Sequence, residues 1–283
     1  MNKNISVLMS VYKNDIAENV RIAVESVANQ TLKPKQIVMV VDGPVPNEIN
    51  NVLEELKQEI SYFEVYPLEQ NVGLGRAMNI GTSYCKYEFI ARMDSDDISL
   101  PERFEKQMKC FEEDPELSLV GSNSQEFIDT LDNLANIKAL PERHEDIVEF
   151  MKGRCPFVHP SVIMKKEILE KAGGYQHWHY AEDYYLWVRM YLAGAKFYNI
   201  QENLINFRIN LNTYKRRGGL KYYKSIRGLL KFINQNKIIG WGRYTKEKIK
   251  RFVGHVLVPS WLKNSLYMKF MRTKREDENE KAN

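Results

Sequence analysis

Three carboxylates stand within four residues of this chain, at Asp94, Asp96 and Asp97. They follow residues 87–90, a short and mostly apolar run that reads as a buried strand. Ligands of open α/β sheets bind beyond the carboxyl ends of the strands, so acids at this point could surround a cation. Asp94 and Asp96 are two residues apart, and an extended chain directs both side chains to one face. Hard oxygen ligands of this kind suit Mg²⁺ or Mn²⁺, completed by the phosphates of a substrate.

The same acids also have a purely structural interpretation. One Asp could cap a helix that begins near Pro101, because Asp is common in turns and at helix N-termini. A calcium loop of the EF-hand type is excluded, since Ile98 and Ser99 occupy positions that require Asp or Asn and then Gly. On this stretch alone, the metal site and the capped turn both stay open.

Gly73 and Gly75 form a turn that leads into residues 75–85, which are predicted to be helical. A glycine turn at a helix start lets the backbone approach a phosphate or a ribose closely, and Arg76 would add positive charge there. The alternative is an ordinary helix start. A dinucleotide-binding fingerprint fits poorly, because its third glycine would fall at Met78.

Strands alternate with helices through the first half of the chain, which predicts an α/β fold with a doubly wound, mostly parallel sheet. Asp15 is predicted to cap the first helix, and Pro101 to stand in the first turn of the fourth. The predicted strands are residues 5–10, 36–41, 62–68, 87–90 and 117–122. Beyond residue 123 the alternation weakens, and the predicted strands there are residues 124–129, 161–164 and 196–199, with helices at 144–152 and 182–193.

Composition describes an ordinary globular protein of 283 residues, 43% hydrophobic and 28% charged. Its cysteines, Cys85, Cys110 and Cys155, are far apart and odd in number, which favours a reducing compartment over a disulfide or zinc framework. The short apolar run at residues 5–11 does not read as a secretory signal. No stretch has the 18 or so apolar residues of a membrane span.

Charge divides the chain into two regions. Residues 215–275 hold eighteen Lys and Arg against one acid, Glu247, whereas residues 1–214 carry a net charge of −10. This asymmetry predicts a boundary near residue 210. Basic residues alternate with apolar and aromatic ones at residues 221–234 and 246–274, as in amphipathic helices at anionic membrane surfaces. Packing of a basic face on the acidic body is the alternative, and no nucleic-acid-binding motif is visible.

The motifs of residues 4–210 together resemble the family 2 glycosyltransferases, which are inverting, nucleotide-sugar-dependent enzymes with the GT-A fold. They are most similar to the non-processive members that build bacterial capsular, exopolysaccharide or lipopolysaccharide chains. The resemblance implies a catalytic domain at 1–210, with a nucleotide-sugar-binding half at 1–123 and an acceptor half at 124–210. A basic, helical C-terminal region at 211–283 would follow.

On the donor side, the resemblance implies contacts to the nucleotide from the loop after the first strand and from the glycine turn. Asp94-Ser95-Asp96 matches the DXD motif of the family, so Asp96 is expected to bind Mn²⁺ or Mg²⁺ and Asp94 to lie near the ribose and diphosphate. Asp97 is expected either to act as a cap or to position the loop. The other implied donor contacts are Ser10, Tyr12, Asp42, Asn71, Gly73, Arg76 and Asn79.

On the acceptor side, residues 181–189 match the Glu-Asp motif of the family, which implies that Asp183 is the general base. Without the resemblance, the helix dipole alone would explain two acids at this helix start. Glu182, Trp187 and His159 are implied to face the acceptor. A buried structural histidine is an equal alternative for His159.

The chain departs from the family pattern at three places. Val41 precedes Asp42 where relatives often have two acids, and Asn210 stands where many relatives have a metal-ligating His. The Gln-x-x-Arg-Trp motif of processive synthases is also absent, which predicts transfer of one sugar at a time.

The expected activity is transfer from a UDP-sugar to a saccharide acceptor, lipid-linked, by a cytoplasmic protein at the inner face of the cell membrane. The oligomeric state stays open. Two alternatives are a sugar-nucleotide nucleotidyltransferase, for which residues 10–15 lack the glycine-rich triphosphate loop, and a non-catalytic, membrane-associated scaffold with the same fold.

Overall fold

The computed structural model describes residues 3–209 and 219–258. Its first half follows the predicted alternation, and every strand foreseen before residue 95 is present. A two-residue strand beyond Asp97 was not predicted. The elements are β1 Ile5–Val11, α1 Ala17–Ala28, β2 Gln36–Val41, α2 Asn47–Glu59, β3 Phe63–Pro67, α3 Leu74–Tyr84, β4 Phe89–Arg92, β5 Ile98–Ser99 and α4 Arg103–Glu113.

The second half contains longer strands than the sequence predicts. Residues 117–122 and 124–129, predicted as two strands, form one strand, and residues 196–199 are only the beginning of another. The elements are β6 Leu117–Ile128, β7 Thr130–Lys138, α5 His144–Met151, β8 Ile163–Lys165, α6 Lys166–Lys171, α7 Glu182–Leu192 and β9 Lys196–Ile209. A single 3₁₀ turn, His159–Ser161, precedes β8.

The sheet has the strand order β3-β2-β1-β4-β8-β6-β9-β5, with β7 paired to β6. Strands β3, β2, β1 and β4 run parallel, which confirms the predicted doubly wound half. Beyond β4 the sheet is mixed, because β8 runs antiparallel to both β4 and β6 while β6 and β9 are parallel. The carboxyl ends of β1, β2 and β4 therefore meet at one edge of the sheet.

Helices cover both faces of this sheet, so its central strands are buried on both sides. Along β1 the side chains alternate: Val7 and Met9 pack with α1, α2 and α4, and Leu8 packs with α3 and α7 on the other face. The strand is apolar at nearly every position for this reason. Each fully buried side chain of this size contributes roughly 1.5–3 kcal/mol to stability.

Two helices follow residue 218, α8 Gly219–Gln235 and α9 Trp241–Phe252, and a turn of π-helix spans Val253–Leu257. The apolar face of α8 enters the same core as α7, through Ile226, Leu229, Leu230 and Ile233. The boundary predicted near residue 210 and the apolar residues predicted beyond 258 lie outside the described residues. Within 3–209 and 219–258, no helix is both long and apolar enough to cross a membrane.

Candidate active site

A cavity of about 600 Å³ opens where the carboxyl ends of β1, β2 and β4 meet. Acidic side chains dominate its wall beside β1 and β4, and α7 contributes further acids. The structure brings together most of the site residues predicted from sequence. These are Ser10, Tyr12, Asp42, Asn71, Gly73, Asp94, Asp96, His159, Glu182 and Asp183.

Three predicted site residues lie outside the cavity wall. Arg76 and Asn79 are exposed on α3, and Asn79 faces Gly174, where a Cβ atom would come within 2.2 Å of its Oδ1. Trp187 is fully buried, with its ring centroid 5.5 Å from that of Phe157 and 5.9 Å from that of His159. The contacts of Arg76 and Asn79 with the donor, and of Trp187 with the acceptor, stay predictions. In the structure the Trp187 ring packs against His159.

Asp42 joins the loop after β2 to the glycine turn before α3. Its Oδ1 accepts a hydrogen bond from the Val72 N–H at 2.7 Å, and its Oδ2 accepts from the Gly73 N–H and the Asn71 Nδ2, both at 3.0 Å. Gly73 has φ +86°, a left-handed conformation that glycine adopts readily. This side of the cavity is thus preorganised by one buried carboxylate.

The acids after β4 crowd together as the sequence suggested. Carboxylate oxygens of Asp94, Asp96 and Asp97 lie within 4.8 Å of one another. Burial raises the pKa of Asp96 to about 7, and the neighbouring carboxylate of Asp94 adds to the increase. Burial also raises the pKa of Asp97 well above its usual range. A divalent cation would relieve this crowding, and the oxygen donors fit Mg²⁺ or Mn²⁺.

Arginines hold these acids in place. Arg92, 1% exposed at the end of β4, forms an ion pair with Asp94. Arg208 on β9 donates from its backbone N–H to Asp97 Oδ1 at 2.7 Å and from Nε to the Asp96 carbonyl oxygen at 2.8 Å. Asp97 therefore positions the loop, as expected, by anchoring it to β9. Asn210, predicted to replace a metal-ligating His, lies outside the described residues.

Asp15 does not cap α1, which corrects the prediction from sequence. The N-cap residue is Ile16 and has no side-chain cap. Asp15 Oδ2 instead accepts hydrogen bonds from the Tyr12 N–H at 2.9 Å and the Ser95 hydroxyl at 3.0 Å. Burial raises the pKa of Asp15 to about 6. It fastens the loop after β1 to the acidic loop after β4.

Asp183, in the first turn of α7, contacts Cys155, which the sequence gave no reason to expect in the site. The Cys155 thiol donates to Asp183 Oδ2 at 3.5 Å, and the Tyr184 N–H donates to Asp183 Oδ1 at 2.7 Å. Burial, together with the Asp183 charge, raises the pKa of the Cys155 thiol, which keeps it protonated as a donor. Both contacts orient the Asp183 carboxylate while leaving lone pairs on each oxygen.

His159 stands in the 3₁₀ turn before β8, half-buried above Trp187. Its Nε2 lies 3.1 Å from the Tyr175 hydroxyl. Burial, with the charge of Arg92, lowers the pKa of His159 well below its usual range. The imidazole is therefore neutral and fixed, suited to hydrogen bonding rather than to carrying charge.

Glu182 gives a testable dependence of stability on pH. Burial raises its pKa to about 7 from the ordinary 4.5, and the Asp183 carboxylate adds to the increase. As pH rises through this window the unfolded chain releases its proton first, so Glu182 increasingly destabilises the folded protein. The free energy of unfolding of Glu182→Gln should equal that of the parent near pH 4. At about pH 8 it should be higher than that of the parent by roughly 1–3 kcal/mol.

Urea unfolding at both pH values measures this difference. Glu145→Gln is the matched control, because Glu145 also lies in the first turn of a helix but is exposed. A gain for Glu182→Gln that is the same at both pH values would contradict the assignment to ionisation.

Known proteins of one family resemble this chain. Residues 6–173 match the family described as Glycosyl transferase family 2. The chain belongs to this family. This family 2 glycosyltransferase is 39% identical over 220 residues to the amylovoran biosynthesis glycosyltransferase AmsE of Erwinia amylovora, covering 78% of this chain and 82% of AmsE. It is 34% identical over 217 residues to the Escherichia coli UDP-Gal:alpha-D-GlcNAc-diphosphoundecaprenol beta-1,3-galactosyltransferase, covering 77% of this chain and 78% of that protein.

Solved structures show the same fold at low sequence identity. S. aureus TarS in complex with UDP-GlcNAc superposes with a TM-score of 0.67 at 15% identity, over 97% of this chain and 77% of that one. The mannosyltransferase PcManGT of Pyrobaculum calidifontis, in complex with GDP-Man and Mn²⁺, gives 0.62 at 12% identity, over 93% and 72%. The family 2 glycosyltransferase described here therefore has the GT-A fold predicted from its sequence.

Proposed function

We propose that this protein is an inverting, metal-dependent glycosyltransferase that moves one sugar from a UDP-sugar to a lipid-linked saccharide acceptor. The observation that carries the proposal is that one cavity is lined both by the acids Asp94 and Asp96 and by the oriented carboxylate of Asp183. The first pair suits a cation and a diphosphate, and the last suits proton removal from a hydroxyl group.

The donor is proposed to lie along the wall formed by Ser10, Tyr12 and the loop that Asp42 holds. Asp96, with Asp94 and Asp97 beside it, would hold Mn²⁺ or Mg²⁺, which when bound neutralises the charge that develops on the departing diphosphate. Asp183 accepts the proton of the acceptor hydroxyl as that oxygen forms a bond to the anomeric carbon. The bond from this carbon to the diphosphate oxygen breaks on the opposite face, so the configuration inverts.

The choice of substrates draws on the relatives. The E. coli relative is named for UDP-Gal and for an acceptor joined to a lipid by a diphosphate, and the Erwinia relative for the biosynthesis of amylovoran. By this likeness we assign the protein a UDP-sugar donor, a diphospho-lipid acceptor and a role in cell-surface polysaccharide biosynthesis. Residues 1–123 would bind the nucleotide sugar, residues 124–210 the acceptor, and residues 211–283 the surface on which the acceptor resides.

That surface is proposed to be the anionic inner face of the cell membrane. On α9 the side chains of Trp241 and Ile249 are 74% and 56% exposed, and Lys246 and Lys250 are exposed beside them. Aromatic and aliphatic residues interleaved with lysines suit a peripheral contact with anionic lipid. Cosedimentation with vesicles of phosphatidylglycerol at low and high salt measures this association.

A thermal-shift screen of nucleotide sugars with Mn²⁺ tests the proposed activity. A selective donor should raise the melting temperature by mass action, and only with the metal present, since the acids repel a diphosphate without it. The best binder is then incubated with acceptor, and release of UDP is followed. A protein that instead forms sugar nucleotide from UTP and a sugar phosphate would be a nucleotidyltransferase. Binding of a UDP-sugar without turnover of any acceptor would favour the alternative of a non-catalytic, membrane-associated scaffold.

A further inference from the structure

Two cations in the cavity wall take no part in the proposed transfer. Lys138 is the last residue of β7, and Arg251 lies in the last turn of α9. The remaining arginine or lysine among the described lining residues is Arg208, which is bound to the acidic loop through the Asp96 carbonyl oxygen. The cavity wall therefore carries positive charge, on β7 and on α9, besides the arginine that holds the acidic loop.

Helical spacing directs Arg251 inward. Tyr244, Glu247 and Arg251 recur three and four residues apart, so they share one face of α9. Tyr244 is buried, and the Glu247 side chain, 12% exposed, lies beside Gly153. The opposite face, with Ile249, points to solvent. Arg251 thus belongs to the face that packs on the body, and it reaches the cavity from there.

The contacts of Arg251 place it near the general base. Its Nη2 donates to the Gly153 carbonyl oxygen, and its Nη1 lies 3.5 Å from His255 Nε2. Its Nε is buried and has no hydrogen-bond partner among the described residues. Gly153 is two residues from Cys155, whose thiol donates to Asp183. The positive charge of Lys138 lowers the pKa of the same thiol, whereas burial raises it. Both cations therefore lie on the Asp183 side of the cavity.

Building on the function proposed above, we propose that Arg251 and Lys138 bind the diphosphate that joins the acceptor sugar to its lipid. In the proposed function, the acidic loop and its metal ion bind the diphosphate of the donor. Arg251 and Lys138 therefore suit the other diphosphate, which belongs to the acceptor. Guanidinium and ammonium groups make strong, charge-assisted hydrogen bonds to phosphate oxygens.

The residues around Arg251 suit both the sugar and the lipid chain that such a diphosphate joins. Tyr180, Tyr222 and Ile226 line the same cavity and offer apolar faces to a sugar or to the first units of a lipid. Immediately beyond Arg251, the side chains of Phe252, Val253 and Leu257 are 38%, 44% and 60% exposed. An apolar chain leaving the diphosphate would pass over these residues toward the membrane.

Binding of geranyl diphosphate, with geraniol as the phosphate-free counterpart, tests the proposal without knowledge of the acceptor sugar. The full chain is first saturated with UDP and Mn²⁺, which occupies the donor side, and the Kd is measured by calorimetry. We expect the parent to bind geranyl diphosphate and to bind geraniol far more weakly. Arg251→Gln and Lys138→Gln should each weaken diphosphate binding about tenfold or more, with the Kd for UDP unchanged. Arg251→Lys should retain part of the affinity.

Lys109→Gln is the matched control, since it removes one exposed charge from α4, outside the cavity wall. Equal affinity of the parent and both Gln variants for geranyl diphosphate, or no binding at all by a parent that still binds UDP with Mn²⁺, would overturn the proposal and leave the transferase function standing. Failure of UDP itself to bind would instead contradict that function. If a variant loses binding to phosphatidylglycerol vesicles but keeps its affinity for geranyl diphosphate, the substituted cation binds lipid headgroups. That result would also overturn the proposal. Circular dichroism confirms that each variant is folded.

Discussion

Asp183→Asn should lower kcat by about 10²-fold or more while leaving the Kd for UDP with Mn²⁺ nearly unchanged. The amide keeps the shape of the side chain and can still accept the Tyr184 N–H, but it cannot take the proton of the acceptor hydroxyl. Donor binding is proposed to depend on the loops after β1, β2 and β4, which the substitution does not touch. Single-turnover rates and calorimetry on the same preparation separate the two effects.

Asp146→Asn is the matched control for this experiment. Asp146 is likewise an acid in the first turn of a helix, α5, but it is exposed and outside the cavity wall. Its substitution should leave kcat within about twofold of the parent, as for a surface change remote from the chemistry. Were Asp183→Asn also to retain kcat within a few-fold of the parent, the role of general base would pass to another group, with Glu182 the first to examine.

Asp96→Ala should abolish the dependence of UDP binding on Mn²⁺. Asp96 is the carboxylate proposed to ligate the metal, and losses at metal sites typically weaken binding by at least about 10- to 100-fold. The fold should persist, because the substitution relieves the crowding that raises the pKa of Asp96 to about 7. The metal-free melting temperature of the variant should therefore be no lower than that of the parent. Calorimetry of UDP with Mn²⁺ and with a chelator measures the first effect.

Asp132→Ala removes an exposed acid from β7 and serves as the control. Metal-dependent UDP affinity should survive there. If Asp96→Ala binds UDP with Mn²⁺ as tightly as the parent does, the cation is held elsewhere and the roles assigned to the acidic loop are wrong.

The parallel half of the fold was predictable because its signals are local. β1 and β2 are apolar at nearly every position, and each is followed by a polar turn and an amphipathic helix. The mixed half was not predictable, since β5 has only two residues and β7 contains no fully buried residue. Neither strand shows a hydrophobic periodicity that could be recognised in the sequence. Their pairing makes them strands, β5 with the distant β9 and β7 with the preceding β6.

The site shows the same division between local and distant signals. Asp94, Asp96 and Asp183 were recognisable because each stands in a short motif with its neighbours. Asp15 was assigned to a helix cap, because only the fold brings Ser95 to it across 80 residues. Arg251 gave a signal in its spacing from Tyr244, but no sequence pattern could show that this face of α9 borders the cavity.

The burial of α8 against α7 limits how the C-terminal helices can be exchanged between relatives. Its four core side chains are together worth about 6–12 kcal/mol, comparable to the entire net stability of about 5–15 kcal/mol of a typical domain. A chain ending at residue 209 would therefore lose its fold, and not merely an accessory surface. A chimera that borrows these helices to change the acceptor must borrow the facing side of α7 as well, and with it the helix that carries Asp183. In the function proposed here, acceptor choice and the proton-accepting group are thus inherited as one unit.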